Sequence, residues 1–222
     1  GLDPTHGNYN FNDVFFTGSA HLASAVGGTI MVSQNGGVIA AGTDGLSAAV
    51  TTISVAQADA LAGTQTFAFV GTVDLSSTPF TLDSGQSITG FGNNTSITVS
   101  GTIQPVNVQG NLGATGGNVT GNEGVVTGTG DFLHLLGSNQ VRNTAFNFSG
   151  ASGSVFTVDQ SAGGFNNAGG IVIEGVTVSN VAAGSTAFKV AGLDTNLSII
   201  NNNVNVTGTL LDVNGGAGNI TV

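Results

Sequence analysis

Cysteine is absent from this 222-residue chain, which removes disulfides, thiolate metal sites and cysteine nucleophiles together. Only two residues are basic, Arg142 and Lys189, against twelve acidic ones, and the formal charge is −10. Two cations cannot track a phosphate backbone, so nucleic acid is excluded as a partner. Anionic membrane surfaces are excluded by the same deficit. No apolar run approaches the roughly 18 residues that a spanning helix needs, so membrane insertion is not expected. Tryptophan is missing and Tyr9 is the only tyrosine, which removes the side chains that most often stack on sugars. Proline occurs three times, too rarely for collagen or a proline-rich linker.

The chain is rich in other things. Glycine numbers 37, more than twice the average share of about 7%. Hydrophobic residues make up 40%, enough to build a core and to argue against disorder. Most of the sequence reads as short alternating runs separated by Gly, Asn, Ser or Asp, such as 66–70, 96–99, 145–148, 176–178 and 203–206. That pattern predicts an all-β fold. One helix is expected near 54–62. It stops at Gly63, and β-branched Thr51, Thr52, Ile53 and Val55 keep it from starting earlier.

Internal repetition selects among all-β architectures. Segments beginning at Asn143, Glu174 and Asn201 each read as an apolar alternation, a polar turn and a second short strand. Aligning them puts Phe148, Val178 and Val206 in one column, and Phe156, Phe188 and Leu211 in another. The strand from Phe132 looks like an earlier copy of the second. A period of roughly 22–32 residues suits a parallel β-helix, in which each coil buries its inward face only by stacking. A β-sandwich is the competing architecture. The expected division is an N-terminal extension or cap over 1–45 and a parallel β-helix over 46–222. Within the first part, 31–42 reads as a strand pair turning at Asn35–Gly36.

Residues 54–101 carry a resemblance. The helix near 55–62, the strand run 67–73 with its Gly-Thr turn, the strand at 80–82 and the GQSITGFG stretch at 85–92 are similar to the opening of pectate-lyase-like right-handed parallel β-helices. The resemblance extends over about 54–222 and contains no catalytic motif. It implies a right-handed solenoid. That superfamily includes polysaccharide lyases and hydrolases, phage tailspikes, autotransporter passengers and surface adhesins, so fold leaves function open. The low-charge, Gly/Asn/Thr/Val-rich composition is closest in character to the bacterial autotransporter and adhesin type.

Candidate chemistry is sparse. The alignment puts His134, Thr157, Lys189 and Asp212 in one outward polar column, with Lys189 and Asp212 as neighbours. This reads as a base or metal column, or as an exposed ladder with a surface ion pair worth under about 1 kcal/mol. Asp159 and Glu174 fall at different corners, Asp131, Asp194 and Asp212 sit beside turn residues, and no catalytic pair emerges. Calcium is the metal such an oxygen-rich chain would take. Yet the glycine run 215–219 lacks the aspartate of the calcium nonapeptide, and Thr43-Asp44-Gly45 is a lone turn, so no cofactor is expected. His6, His21 and His134 are too scattered for zinc. The glycine pairs 116–117 and 163–164 read as turns.

The resulting expectation is a structural or adhesive segment of a secreted bacterial surface protein, extracellular and not an enzyme. The alternative is a carbohydrate-active or tailspike-like glycan-binding protein, with a glycan as partner. An ice-binding solenoid ranks last for want of a Thr-x-Thr column. Asn219, Ile220, Thr221 and Val222 form an expected axial edge. It would stack on another subunit, giving a filament, or on more of a longer solenoid.

Overall fold

A computed structural model describes residues 21–22, 29–92, 95–99, 104–105, 117–160 and 169–222. Most of 1–28, with His6 and Tyr9, and the glycines at 116, 163 and 164 lie outside the described residues. The fold is all-β, with one short α-helix among the described residues, and three parallel arrays dominate it.

The first sheet stacks Thr72–Asp74, Val125–Gly128, Ala145–Phe148, Thr177–Val181 and Asn203–Val206. The second stacks Phe80–Leu82, Leu133–Leu135, Gly153–Asp159, Ser185–Leu193 and Thr209–Gly216. The third carries Thr66–Phe69, Ser87–Thr89, Gln140–Arg142, Ile171–Glu174, Leu197–Ile200 and Ile220–Thr221 in the same way. From residue 125 onward the chain visits first, second and third sheet in that cyclic order, and every neighbour within them is parallel.

The third sheet extends further at its N-terminal side. Thr29–Ser33 pairs parallel with both Thr66–Phe69 and Val50–Ser54, and Asn35–Ile39 runs antiparallel to Val50–Ser54. The expected hairpin at Asn35–Gly36 is therefore replaced: the two strands flanking it pair with Val50–Ser54, not with each other. Residue 45 is no break in this sheet. Gly117, read as part of a turn, opens the strand Gly117–Val119, which pairs antiparallel with Ile97–Val99.

Inward residues stack rung on rung. One column runs Val73, Val126, Phe146, Val178 and Val204; another runs Phe80, Leu133, Phe156, Phe188 and Leu211. The second column matches the sequence alignment. The first does not: Phe148 lies opposite Gly128, and Val206 opposite Val181. The error is a slip of two residues. Side chains alternate with period two, so such a slip leaves the apolar face unchanged and the sequence cannot detect it. Asn180, in left-handed backbone at φ 61, marks the irregularity between Val178 and Val181.

Phenylalanines fill the interior. Phe156 and Phe188, on adjacent rungs, stack with centroids 5.2 Å apart and 7° between planes, while Phe146 meets Phe156 edge-on at 4.8 Å. A second cluster lies on the other face of the third sheet: Met31, Ala68, Val70, Phe91, Ile97, Val99 and Val119 pack there. Both faces of Thr29–Ser33 and Thr66–Phe69 are thus buried, which is why these strands read as continuous apolar runs.

The helix is Val55–Asp59. Ser54 caps it reciprocally with Gln57, each side chain bonding the other residue's backbone N–H. The corner leading into the first sheet repeats one backbone device. Asn143, Gly175 and Asn201, each two residues before a strand, take φ of 53°, 64° and 56°. Only Gly and Asn adopt this left-handed region at little cost.

Candidate functional site

Strand register places His134, Thr157, Lys189 and Asp212 on successive rungs of the second sheet, preceded by Thr81. Their side chains do not form the arrangement expected from sequence. Lys189 passes over the Thr157 rung and pairs with Asp131, Nζ to Oδ2 at 3.0 Å, leaving Asp212 without it. The physical reason lies in Asp131, which sits just before its strand at the same corner as Ser154. The Ser154 hydroxyl donates to Asp131 Oδ1 at 2.7 Å and lies 2.7 Å from the Thr157 hydroxyl. His134 Nε2 approaches the Asp131 carbonyl at 3.2 Å. Thr157 is 6% exposed, so this column is not a row of free surface groups.

Burial is the largest influence on the Asp131 carboxyl and pushes its pKa up. The Ser154 hydroxyl, the Lys189 ammonium and the nearby His134 together outweigh burial and hold it below the ordinary aspartate range. A carboxylate held this way accepts hydrogen bonds and positive charge; it does not donate a proton near neutrality. The cluster therefore clamps three rungs of the second sheet together.

The other cation behaves in parallel. Arg142 and Glu174, in register on the third sheet, pair at 3.0 Å. With Asn143, Gly175 and Asn201 they line a cleft of about 270 Å³. Arg142 Nε is buried and unpartnered. A larger groove of about 400 Å³ lies between the helix and the loop 74–79, lined by Gln34, Ser54, Asp59 and Asp74 among others. Asp74 is held below the ordinary range by its bonds to the Ser76 hydroxyl and backbone. Among the described residues, no group of three or more His, Asp or Glu is placed to hold a metal ion, and no helix is long and apolar enough to cross a membrane.

Amides carry most of the internal polar work. Asn139 is fully buried: its Nδ2 donates to the carbonyls of Leu82, Asp83 and Gln86, and its Oδ1 accepts from Gly137 N–H. Asn202 accepts from Val176 N–H and donates to the Ile173 carbonyl. Side-chain ladders between asparagines do form, at Asn147–Asn180 (2.7 Å) and Asn196–Asn219 (3.4 Å). Ser154 and Asn139 carry no local motif by which the sequence would single them out, and Asp131 stands out there only as a residue beside a turn.

Of Asn219, Ile220, Thr221 and Val222, Ile220–Thr221 form a short strand that pairs parallel with Leu197–Ser198, after a strand that runs to Gly216. Comparisons with protein-family models, with curated proteins and with solved structures find no match.

Proposed function

We propose that this chain is a structural or adhesive β-solenoid of a secreted bacterial cell-surface protein. In this reading the three sheets are the faces of a right-handed parallel β-helix of the pectate-lyase-like kind. The carrying observation is the cyclic return of the chain to the same three parallel sheets, with core columns continuous from rung to rung. Parallel crossovers are right-handed in nearly all proteins. Such a stack rises about 4.8 Å per rung and resists bending, because every rung is hydrogen-bonded along its length. Both cations pair across rungs, with Asp131 and Glu174, and no cation is left over for the exposed aspartates such as Asp74, Asp83 and Asp212, a surface that supports display and contact more than chemistry.

Antibody raised against the purified chain tests the localisation. It should label intact, unpermeabilised producing cells; labelling only after permeabilisation overturns the reading. Nuclear Overhauser contacts of the purified chain should place Phe156, Phe188 and Leu211 in one column and Phe146, Val178 and Val204 in another, and their absence would sink the solenoid itself.

The Arg142–Glu174 cleft favours one second reading, glycan binding. It offers a guanidinium, a carboxylate and two carboxamides, mixed donors and acceptors that match hydroxyl groups.

A further inference from the structure

At the corner that leads from the third sheet into the first, Arg142, Glu174 and Ile200 stand in register on successive rungs. Asn143, Gly175 and Asn201 follow them and form a corner column, all in left-handed backbone. The middle member has no side chain. The column therefore carries a notch between two carboxamides that lie two rungs apart, about 9.6 Å at about 4.8 Å per rung. This notch is part of the cleft of about 270 Å³. Along the stack it is bounded on both sides by rungs of this chain, at Asn143 and at Asn201.

The lining is rich in unused hydrogen-bonding groups. Among the described residues the side chains of Asn143 and Asn201 have no partner. Arg142 meets Glu174 through Nη1 at 3.0 Å, and its Nε is unpartnered. A carboxamide offers donors and an acceptor, a guanidinium donors only and a carboxylate acceptors only. A ligand that satisfies all of them must donate and accept at several points, as a run of hydroxyls does. Charge narrows the choice. Arg142 and Glu174 are the charged residues lining the cleft, and they neutralise each other. No unpaired cation or carboxylate is left there to fix a charged ligand, and the formal charge of −10 further opposes anions.

We propose that this cleft binds an uncharged sugar, a hexose unit of a neutral glycan, seated over Gly175 with its hydroxyls bonded to Asn143, Asn201 and the Arg142–Glu174 pair. The proposal rests on the glycan-binding reading of this cleft and narrows it. Uronic acids and phosphorylated sugars are excluded for want of a free cation, and charged amino sugars for want of a free carboxylate. The cleft is smaller than the roughly 300–1,000 Å³ of pockets that enclose a drug-sized ligand. It therefore seats one sugar residue while the rest of the glycan stays in solvent. No aromatic ring lines it, so hydrogen bonds carry the contact and the affinity for a single residue is about millimolar.

Proton–nitrogen NMR of the 222-residue chain, titrated with the methyl glycosides of glucose, galactose and mannose, tests this. Glucuronic acid and glucosamine serve as the charged counterparts. The expected result is saturable shifts of the Asn143 and Asn201 side-chain amides with at least one neutral glycoside, and binding at least about tenfold weaker for both charged sugars. Gly175→Asn keeps a residue that tolerates the left-handed corner, as Asn143 and Asn201 do, and fills the notch with a third carboxamide. It should weaken binding at least about tenfold. Circular dichroism shows whether this variant folds; if it does not, Asn143→Gly with Asn201→Gly removes both carboxamides without straining the corners and should weaken binding by a similar factor. A charged sugar that binds as tightly as the neutral ones overturns the proposal while the glycan reading stands. Neutral binding that is indifferent to the variants overturns it equally, because the sugar then sits elsewhere. If no sugar shifts these amides, the glycan reading of the cleft fails with it.

Discussion

Phe156 and Leu211 stand in one column, two rungs apart, yet Phe156 is sealed and Leu211 is partly open. The same holds for Phe146 and Val178 against Val204 in the first sheet. Position within a rung fixes which way a side chain points; the rungs above and below fix what that burial is worth. A residue in the middle of the stack is covered on both axial sides. One in the last rung is covered on one, although its local sequence pattern is identical.

Truncation breaks this comparison most sharply. Phe156→Ala removes a ring packed against Phe146 and Phe188 and is expected to cost about 3–5 kcal/mol. Leu211→Ala in the last rung should cost about 1–2 kcal/mol, because its site is half-formed and open to collapse. Urea denaturation of both variants checks this, and equal losses would mean that the last rung is as well packed as the middle.

Buried amides offer the next contrast. Asn139→Ala removes the bond to the Gly137 N–H and three bonds to carbonyls, of which those of Leu82 and Asp83 keep a backbone partner, and should cost about 2–3 kcal/mol. Asn202→Ala, near the last rung, loses two bonds at a partly exposed corner and should cost about 1 kcal/mol. Thermal melts of the two side by side would expose a reversed order.

The N-terminal end of the stack is closed where the Gln34 side chain accepts from the Asp74 N–H and donates to its carbonyl, and opening that end sharpens the comparison. Gln34→Ala should cost only about 1 kcal/mol, yet it bares the Asp74 backbone groups. Sedimentation is expected to show more self-association in this variant than in the parent chain. An unchanged profile would mean that Gln34 does not guard that edge.

The smallest effects are electrostatic and opposite in sign. Asp131 titrates below its ordinary range when folded. Its contribution is complete above about pH 4 and is lost as pH falls through the folded value. Glu123 is raised by burial, so its contribution is present below the ordinary glutamate range and is lost as pH rises through its folded value. Asp131→Asn should therefore flatten the acid limb of the stability curve, by under about 1 kcal/mol given its exposure to solvent. Glu123→Gln should raise the melting temperature at neutral pH by under about 2 °C. Melting curves from pH 3 to 7 (roughly the span over which carboxyls titrate) would show both slopes, and slopes of the same sign would contradict the assignment.

Much of this was legible in the chain. Alternation at 145–148 and 203–206, with Asn and Gly between runs, pointed to short strands. The recurrence of Phe156, Phe188 and Leu211 pointed to parallel stacking, and the register bears that column out. The polar column was legible as positions but not as bonds. Whether Lys189 turns toward Asp212 or reaches back to Asp131 depends on a corner 58 residues upstream, and no local pattern encodes that distance.

The sequence by itself determined the class of structure. The absence of cysteine forbade disulfides, alternation imposed strands, and Asn or Gly at 143, 175 and 201 allowed the same left-handed corner to recur. Only the tertiary structure decided register, partner and end. A two-residue slip preserves every inward side chain, so Phe146 rather than Phe148 came to face Val178 through the geometry of neighbouring turns. Asp131 became the partner of Lys189 because Ser154 and the corner hold its carboxylate there. The closed end exists because a glutamine 40 residues away in sequence supplies the peptide group that Asp74 lacks. Such choices rest on long-range backbone geometry, which acts through space and leaves no periodic mark on the chain.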